Sequence, residues 1–348
     1  MVLVNNPGTW SAIYAPLRHA DWHGWTPTDM VFPFFVFIVG VAIPIALGPR
    51  LERSGRAGAL ARVARRSAII FGLGLLLQSL PSFDWATLRI PGVLQRIALC
   101  YLAAGCLFLL TSWRTQAVIT TGLLLGYWAV MTTVPVPGYG AGDLSPAGNL
   151  AAYLDRAILG QEHLWRVSRV YDPEGILSTV PAIATALLGV LTGEWLRRQP
   201  TTGSTAARLA LAGVVCAAVG QIWGAWFPVN KSLWTSSYVM LTGGLALITL
   251  ALCYWLIEVL GYRRWAVPFV VFGVNALALY FLSSAVAQML VMIRVGPENV
   301  SLKSLLFNRL FAPWASPINA SLGYACAYLL VWWGLMWILY RRRIVLRV

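Results

Sequence analysis

Long apolar runs recur along the whole chain and limit what it can fold into. A helix needs about 20 apolar residues to cross roughly 30 Å of hydrocarbon. A shorter run, 67–80, lies between a charged segment and a polar turn that starts at Pro81. The runs of full length are 29–48, 92–111, 115–134, 175–196, 208–227, 234–258, 266–290 and 319–340. The sequence therefore predicts an all-α, polytopic transmembrane helical bundle with about nine full spans.

Composition supports a membrane protein with one domain. Only 11% of the residues are charged, whereas a soluble domain carries roughly a quarter. No repeat or low-complexity tract interrupts the runs, so residues 1–348 are predicted to form a single transmembrane domain. The apolar stub at residues 1–4 leads directly into Asn5, which indicates the outer end of a helix whose first half is missing. A truncated first helix is therefore expected in addition to the nine spans.

The basic residues predict the orientation of the bundle. Sixteen of the 26 basic residues fall in the loops of one side, against three acidic residues. Cytoplasmic loops carry such an excess, so this side and the C-terminus are predicted to face the cytoplasm, with the protein in the inner membrane. Because topology explains the net charge of +14, nucleic-acid binding is not expected. The residues are Arg50, Arg53, Arg56, Arg62, Arg65, Arg66, Arg114, Arg197, Arg198, Arg208, Arg263, Arg264, Arg341, Arg342, Arg343 and Arg347, with Glu52, Glu194 and Glu258.

Two histidines precede the first span on the opposite side. His19 and His23 lie in a short aromatic segment, and Asp29 follows where the helix is expected to begin. Histidine can take and return a proton near neutral pH, and a carboxylate can orient it and stabilise its charged form. Asp29 could equally cap the helix, and both histidines could be interfacial residues. These alternatives remain open, and the cap and the catalytic role are compatible.

Further polar residues lie at the ends of spans or inside them. Asp172 and Glu174 could grip a ligand or cap a helix, and Lys231 could contact a ligand or anchor the interface. Arg96 lies one turn inside a span, so it is expected to face a polar cavity and a carboxylate partner. Asn275 could simply bond to a neighbouring helix. The five cysteines lack metal-ligand spacing and predict neither a disulfide framework nor a metal site.

Seven separate blocks occur together and in one order, and through them the chain resembles a known family. The family is that of the transmembrane N-acetyltransferases typified by heparan-α-glucosaminide N-acetyltransferase, with its bacterial homologues. The blocks run from residue 3 to about 280, so the resemblance covers most of the chain. They are Leu3-Val4-Asn5, His19-Ala20-Asp21-Trp22-His23-Gly24, Asp29-Met30-Val31-Phe32-Pro33-Phe34-Phe35-Val36-Phe37-Ile38, Gly92-Val93-Leu94-Gln95-Arg96, Tyr171-Asp172-Pro173-Glu174-Gly175, Pro228-Val229-Asn230-Lys231-Ser232-Leu233-Trp234 and Gly273-Val274-Asn275.

The resemblance implies an enzyme that uses cytosolic acetyl-CoA to acetylate the amino group of an amino sugar on the periplasmic side. By position, His19 is similar to the active-site histidine of the family, Asn5 to its neighbouring asparagine, and Asp29 to the acid that follows. Direct transfer in a ternary complex is preferred over an acetyl-histidine intermediate. A homodimer is the expectation from the family. The residues expected to bind substrate are Asp172, Glu174, Lys231, Asn230, Arg96, Trp234 and Asn275.

The chain departs from the family pattern at its start. The opening helix of the family is missing, and so is the large N-terminal luminal region of the animal enzyme. Polymer binding is therefore not assumed, and a free amino sugar or a cell-wall fragment is an alternative acceptor.

Two other functions are weighed against the acetyltransferase. An amino-sugar secondary transporter would carry matched broken helices in two halves of the chain, which the sequence does not show. A scaffold or regulatory membrane subunit would tolerate changes at His19 and Asp172.

Overall fold

The computed structural model describes residues 1–80 and 83–346. The side chains of residues 50 and 52–54 are outside that description. Several sequence predictions therefore concern positions outside the described residues: the charges of Arg50, Glu52, Arg53 and Arg347, and the turn at Pro81.

The described part of the chain is mostly helical. Two short antiparallel hairpins lie between them, β1 (Pro135–Val136) with β2 (Gly140–Ala141), and β3 (Arg294–Val295) with β4 (Val300–Ser301). The α-helices are α1 (Val31–Ser79), α2 (Val93–Leu110), α3 (Trp113–Thr133), α4 (Leu150–Leu159), α5 (Ile176–Leu196), α6 (Gly203–Trp223), α7 (Ser236–Tyr254), α8 (Val267–Val274), α9 (Ala276–Met292), α10 (Leu302–Leu310) and α11 (Pro317–Arg341). The predicted all-α membrane class is confirmed.

The predicted count of nine spans is not confirmed. In residues 1–80 and 83–346, six helices are long and apolar enough to cross a membrane, and α8 with α9 makes a seventh if this pair, bent by 67°, is one span. The predicted run 67–80 is the end of α1, beyond a break at Gly55, and Arg62, Arg65 and Arg66 lie in that part. The run 115–134 lies in α3, which is long enough but less apolar because it contains five threonines.

Glycines set how closely α1 and α5 approach. A Cβ at Gly40 would collide with the backbone of Ala186, and one at Gly189 with the carbonyl of Phe37. A Cβ at Gly193 would lie only 2.5 Å from the Val41 carbonyl oxygen. Small residues allow helix backbones to approach closely inside a membrane, where packing rather than hydrophobic burial holds helices together. This contact fixes α1 and α5, the two helices that begin beside the candidate site.

We expect Gly189→Val to destabilise the bundle by about 1–3 kcal/mol, because the new methyl groups must push α1 and α5 apart. A lower thermal midpoint of the purified protein in detergent would report this loss. The matched control is Gly126→Val in α3, where a Cβ meets no atom within 4 Å. Equal midpoints for the two variants would contradict the close-packing role of Gly189.

A buried carboxylate in the outer loop caps α5. Asp155 of α4 is 1% exposed, and its Oδ1 accepts a hydrogen bond from the Ile176 N–H at 2.8 Å. Gly175 leaves room for that carboxylate, since a Cβ there would collide with it. Burial raises the pKa of Asp155 to about 7 despite this hydrogen bond. The cap therefore changes its charge near neutral pH.

We expect Asp155 to make folding less stable as the pH rises from 6 to 8. The folded protein holds a proton there up to a pKa of about 7, whereas an unfolded aspartate has lost it above about 4. The bound proton therefore stabilises the folded protein at acidic pH. Its contribution to the free energy of unfolding falls by roughly 1 kcal/mol between pH 6 and 8. Asp155→Asn should flatten the dependence of the thermal midpoint on pH between 6 and 8.

The control for this experiment is Asp143→Asn in the same loop. Hydrogen bonds from Ser145 lower the pKa of Asp143, so this carboxylate does not titrate between pH 6 and 8. If the thermal midpoint of Asp155→Asn depends on pH as steeply as that of the wild type, another group causes this dependence.

Candidate active site

The Asp29 carboxylate joins the outer loop to the start of α1. It is 1% exposed. Its Oδ2 accepts hydrogen bonds from the N–H groups of Ala20 at 3.1 Å and Thr26 at 3.0 Å. Its Oδ1 lies 2.6 Å from His19 Nδ1. One oxygen therefore completes a capping box with Thr26, which is the N-cap of the short 3-10 turn Pro27–Met30 that leads into α1, and the other holds the imidazole. Asp29 is the third residue of that turn and not the N-cap itself.

Lys231 completes a cluster with His19 and Asp29. Its Nζ lies 3.1 Å from His19 Nδ1 and 3.3 Å from Nε2, and 3.7 Å from Asp29 Oδ1. Since an ionised carboxylate only accepts, a proton on Nδ1 belongs to the bond with Asp29, and the Nε2 lone pair then faces the Lys231 Nζ and the cavity. Burial lowers the pKa of Lys231, and the Asp29 carboxylate opposes this change.

The cluster lies in an outer cavity of about 440 Å³. His19, Asn5 and Lys231 line it, together with the carboxylates of Asp21 and Glu174. The structure thus brings together residues 5, 19, 29, 174 and 231 from stretches far apart in sequence. Aromatic side chains, Trp22, Trp165 and Tyr171, form much of the remaining lining. A cavity with a base, an amide and carboxylates among aromatic rings suits a polar, amine-bearing ligand.

Asp172 and Glu174 are held by an arginine that the sequence analysis did not single out. Arg89 donates from Nε to Asp172 Oδ2 at 2.8 Å, from Nη2 to Asp172 Oδ1 at 2.6 Å, and to Glu174 Oε2 at 2.5 Å. Burial disfavours the Arg89 cation, but the hydrogen bonds to Asp172 and the charge of Glu174 raise its pKa above the ordinary value. Glu174 faces the cavity, while Asp172, 3% exposed, lies behind it.

Arg96, Trp234 and Asn230 lie behind the cavity lining. Arg96 is 1% exposed and donates from Nη2 to the Gly175 carbonyl and to Ser178. The expected carboxylate partner is absent among the described residues, because Arg89 occupies Asp172 and Glu174. The Arg96 guanidinium instead lies 5.0 Å from the Trp234 ring, and that ring packs edge-on against Phe32.

Asn230 Oδ1 accepts from the Leu233 N–H at 2.9 Å and shapes the turn that carries Lys231.

A second cavity, of about 530 Å³, is lined by three arginines of α1. Arg62, Arg65 and Arg66 line it, and we call it the arginine cavity. Asn275 also lines it, so this residue does not join the His19 cluster. Its amide instead bonds to the C-terminal backbone, donating to the Ile344 carbonyl at 3.1 Å and accepting from the Leu346 N–H at 2.8 Å.

A thin septum separates the two cavities. The arginine cavity continues into an apolar cleft of about 100 Å³ that Phe35 and Ile97 line, while Phe32 and Val93 line the outer cavity. These pairs are three and four residues apart on α1 and α2, about one helical turn, or roughly 5 Å. Along α1 and α2, the linings of the two cavities are therefore about one helical turn apart.

The sequence contained one signal for Arg89. It is one of few basic residues on the weakly charged side and lies three residues before Gly92, the start of a family block. Trp165, which lines the outer cavity, gave no such signal, because it lies in a long loop without regular pattern. Within residues 1–80 and 83–346, no three His, Cys, Asp or Glu side chains are grouped as metal ligands.

Comparison with known proteins identifies relatives. No family model matches the chain. The heparan-alpha-glucosaminide N-acetyltransferase of Homo sapiens is 31% identical over 336 residues, and that of Mus musculus is 29% identical over the same length. Each match covers 80% of this chain and 50% of the relative, so the chain spans about half the length of these relatives. By sequence, the chain belongs to the family of heparan-alpha-glucosaminide N-acetyltransferases.

Proposed function

We propose that this protein is a membrane-embedded acetyltransferase that moves an acetyl group from acetyl-CoA on the cytoplasmic side to the amino group of an amino sugar on the periplasmic side. The observation that carries the proposal is the His19–Asp29–Lys231 cluster inside a cavity that also contains Asn5 and Glu174. The N-acetyltransferase names of the relatives support the reaction class.

His19 acts as the general base in this proposal. The amine nitrogen attacks the thioester carbonyl carbon, the C–N bond forms, and His19 Nε2 takes the amine proton. The C–S bond then breaks, and coenzyme A leaves with the electron pair on sulfur. Asp29 stabilises the imidazolium that forms, because its Oδ1 already accepts from Nδ1 at 2.6 Å.

Asn5 and Lys231 supply polar donors near the reacting carbon. The Asn5 amide lines the outer cavity and can donate to the tetrahedral oxyanion, which is worth about 3 kcal/mol for a well-placed donor. The Lys231 Nζ, 3.3 Å from His19 Nε2, can donate to the same oxyanion. Glu174 can accept from the amino or hydroxyl groups of the sugar.

The arginine cavity fits the chemistry of coenzyme A. Its three arginines can bind the phosphates, since guanidinium groups form paired hydrogen bonds with phosphate oxygens. The apolar cleft beyond it suits the narrow pantetheine arm and leads toward the septum. The positive-inside bias supports placing this cavity on the cytoplasmic side. In this arrangement Asn275 contributes to the lining of the arginine cavity and does not bind the sugar.

One observation keeps an amino-sugar transporter as the second candidate. The α8–α9 pair is bent by 67° at Asn275, and broken helices are typical of transporter binding sites. In the described residues it is the single bent pair, whereas transporters carry a matching pair in each half. Uptake of labelled glucosamine by proteoliposomes without acetyl-CoA would favour transport.

We expect His19→Ala to lower kcat by about 10²–10⁴-fold, the usual contribution of a general base. Asp29→Asn should cost a comparable factor or more, because the amide can present its N–H to Nδ1 and favour the wrong tautomer. The assay is transfer of labelled acetyl from acetyl-CoA to glucosamine by purified protein, followed by mass spectrometry.

His163→Gln is the matched control, because this histidine bonds to the Leu88 carbonyl and does not line the outer cavity. Its activity should stay close to that of the wild type. Undiminished transfer by a folded His19→Ala protein, judged by its thermal midpoint, would end the proposal.

We expect Arg62→Gln with Arg65→Gln to raise KM for acetyl-CoA by about tenfold or more and to change kcat little, since each charge-assisted hydrogen bond contributes about 1.5–3 kcal/mol. KM for glucosamine should not change. Arg114→Gln, which removes an exposed charge that does not line the cavity, is the control. An unchanged KM in the double variant would place the donor elsewhere.

A further inference from the structure

Residues 170–176, which we call the wall segment, form one side of the outer cavity. Tyr171, Pro173 and Glu174 line the cavity, and the segment ends where α5 begins at Ile176. Arg89 binds the Glu174 side chain, but an ion pair to a side chain does not fix the backbone that carries it. The position of this wall therefore depends on contacts at the two ends of the segment.

Two adjacent residues of α4 hold these two ends. Arg156 donates from Nη1 to the Val170 carbonyl at 2.6 Å, and Asp155 Oδ1 accepts from the Ile176 N–H at 2.8 Å. Neither residue lines the outer cavity. The sequence analysis gave neither a role, and the proposed reaction does not use them. A short helix in the outer loop thus clamps the segment across its whole length.

The clamp is closely packed against the segment. The Asp155 carboxylate fills the space beside Gly175 where a Cβ would stand, and Arg96 donates to the Gly175 carbonyl from the other side at 3.2 Å. The second terminal nitrogen of Arg156 donates to the Ala147 carbonyl at 2.9 Å, so this guanidinium is itself held in place. A shift of α4 would therefore move Gly175 and, next to it, the cavity-facing Glu174.

Asp155 also makes the clamp sensitive to charge. Burial raises its pKa to about 7, so this carboxyl group is protonated at pH 6 and ionised at pH 8. Ionisation places a second buried negative charge near Asp172 of the wall segment, and like charges in a buried site repel. The charged and titratable groups that face Asp155 are Arg96 of α2, Tyr127 of α3, Arg156 of α4 and Asp172 of the segment.

We infer that Asp155 and Arg156 are positioning residues for the amino-sugar acceptor, which set where Tyr171 and Glu174 face the outer cavity. This inference rests on the proposed function and names the element that shapes its acceptor site. The two residues act through the wall segment and touch neither the acetyl group nor acetyl-CoA. A purely structural role would lower the thermal midpoint without a selective change in acceptor binding.

The first experiment measures acetyl transfer to glucosamine by purified Asp155→Ala and Arg156→Ala. We expect KM for glucosamine to rise by about fivefold in each, with kcat and KM for acetyl-CoA little changed, because only acceptor positioning is lost. Asp155→Asn should keep the wild-type KM at pH 6, since its amide oxygen can still accept from the Ile176 N–H.

The second experiment follows the same KM between pH 6 and 8. The ratio of KM in the wild type to KM in Asp155→Asn should rise from about 1 at pH 6 to about 3 at pH 8, because only the wild type acquires the buried charge. The titrations of the glucosamine amine and of His19 are common to both proteins and cancel in this ratio.

Two variants serve as matched controls. Asp143→Asn removes a carboxylate of the same loop that accepts from the Ser145 N–H, and Arg309→Ala removes an exposed charge from α10. Neither residue lines the outer cavity. Both controls should match the wild type in KM for glucosamine at each pH.

Each further outcome tells against the inference in a distinct way. An unchanged KM in folded Asp155→Ala and Arg156→Ala, or a fall in kcat alone, overturns it. If the thermal midpoint shows that the alanine variants do not fold, the Asp155→Asn comparison decides, and a ratio that stays constant with pH overturns it. If the wild type acetylates no amino sugar, the proposed function fails and this inference fails with it; turnover with unchanged KM removes the inference alone.

Discussion

The candidate site depends on one buried carboxylate with two separate tasks. Asp29 Oδ2 accepts backbone N–H groups where α1 begins, and Oδ1 holds the imidazole of His19. Because its carboxylate is 1% exposed, its charge is stable only while both sets of partners are present. The position of the histidine is therefore tied to the formation of the first membrane helix. The Tyr238 hydroxyl, which donates to the Asp29 carbonyl, connects the same point to α7.

The other charged groups are arranged around this point in layers. Arg89 fixes Asp172 and Glu174, so one carboxylate faces the cavity while the other supports the arginine. Arg96 lies deeper and packs on Trp234, which packs on Phe32 at the septum. Its Nε and Nη1 have no hydrogen-bond partner among the described residues. A buried cation of this kind is costly, and it lies where α2, α5 and the turn before α7 meet.

The sequence predicted the architecture better than the site. Apolar runs of span length predict helices reliably because the bilayer allows few alternatives, but they did not reveal that the helix containing 67–80 already begins after the break at Gly55 and includes Arg62, Arg65 and Arg66. The spacing of His19 and Asp29 suggested their pairing, since both flank one helix start. Partners far apart in sequence were not predictable. Arg96 was expected to pair with a carboxylate, but Arg89 forms the ion pairs with Asp172 and Glu174. Asn275 was grouped with the sugar-binding residues because it is polar and inside a span, and only the fold shows that it faces the arginine cavity. The roles of the ten site residues stay predictions.

The septum between the cavities has an electrical consequence. In the proposed topology the outer cavity and the arginine cavity open to opposite membrane surfaces, so most of the membrane voltage would fall across the layer between them. A charge moved through that layer would do work against nearly the full potential, about 2.3 kcal/mol per 100 mV. An acetyl group is neutral and crosses without that cost, whereas the phosphates of its carrier would not. In the proposed reaction the septum would act as an insulator that admits the uncharged acetyl group and keeps the charged phosphates of the donor on the other side.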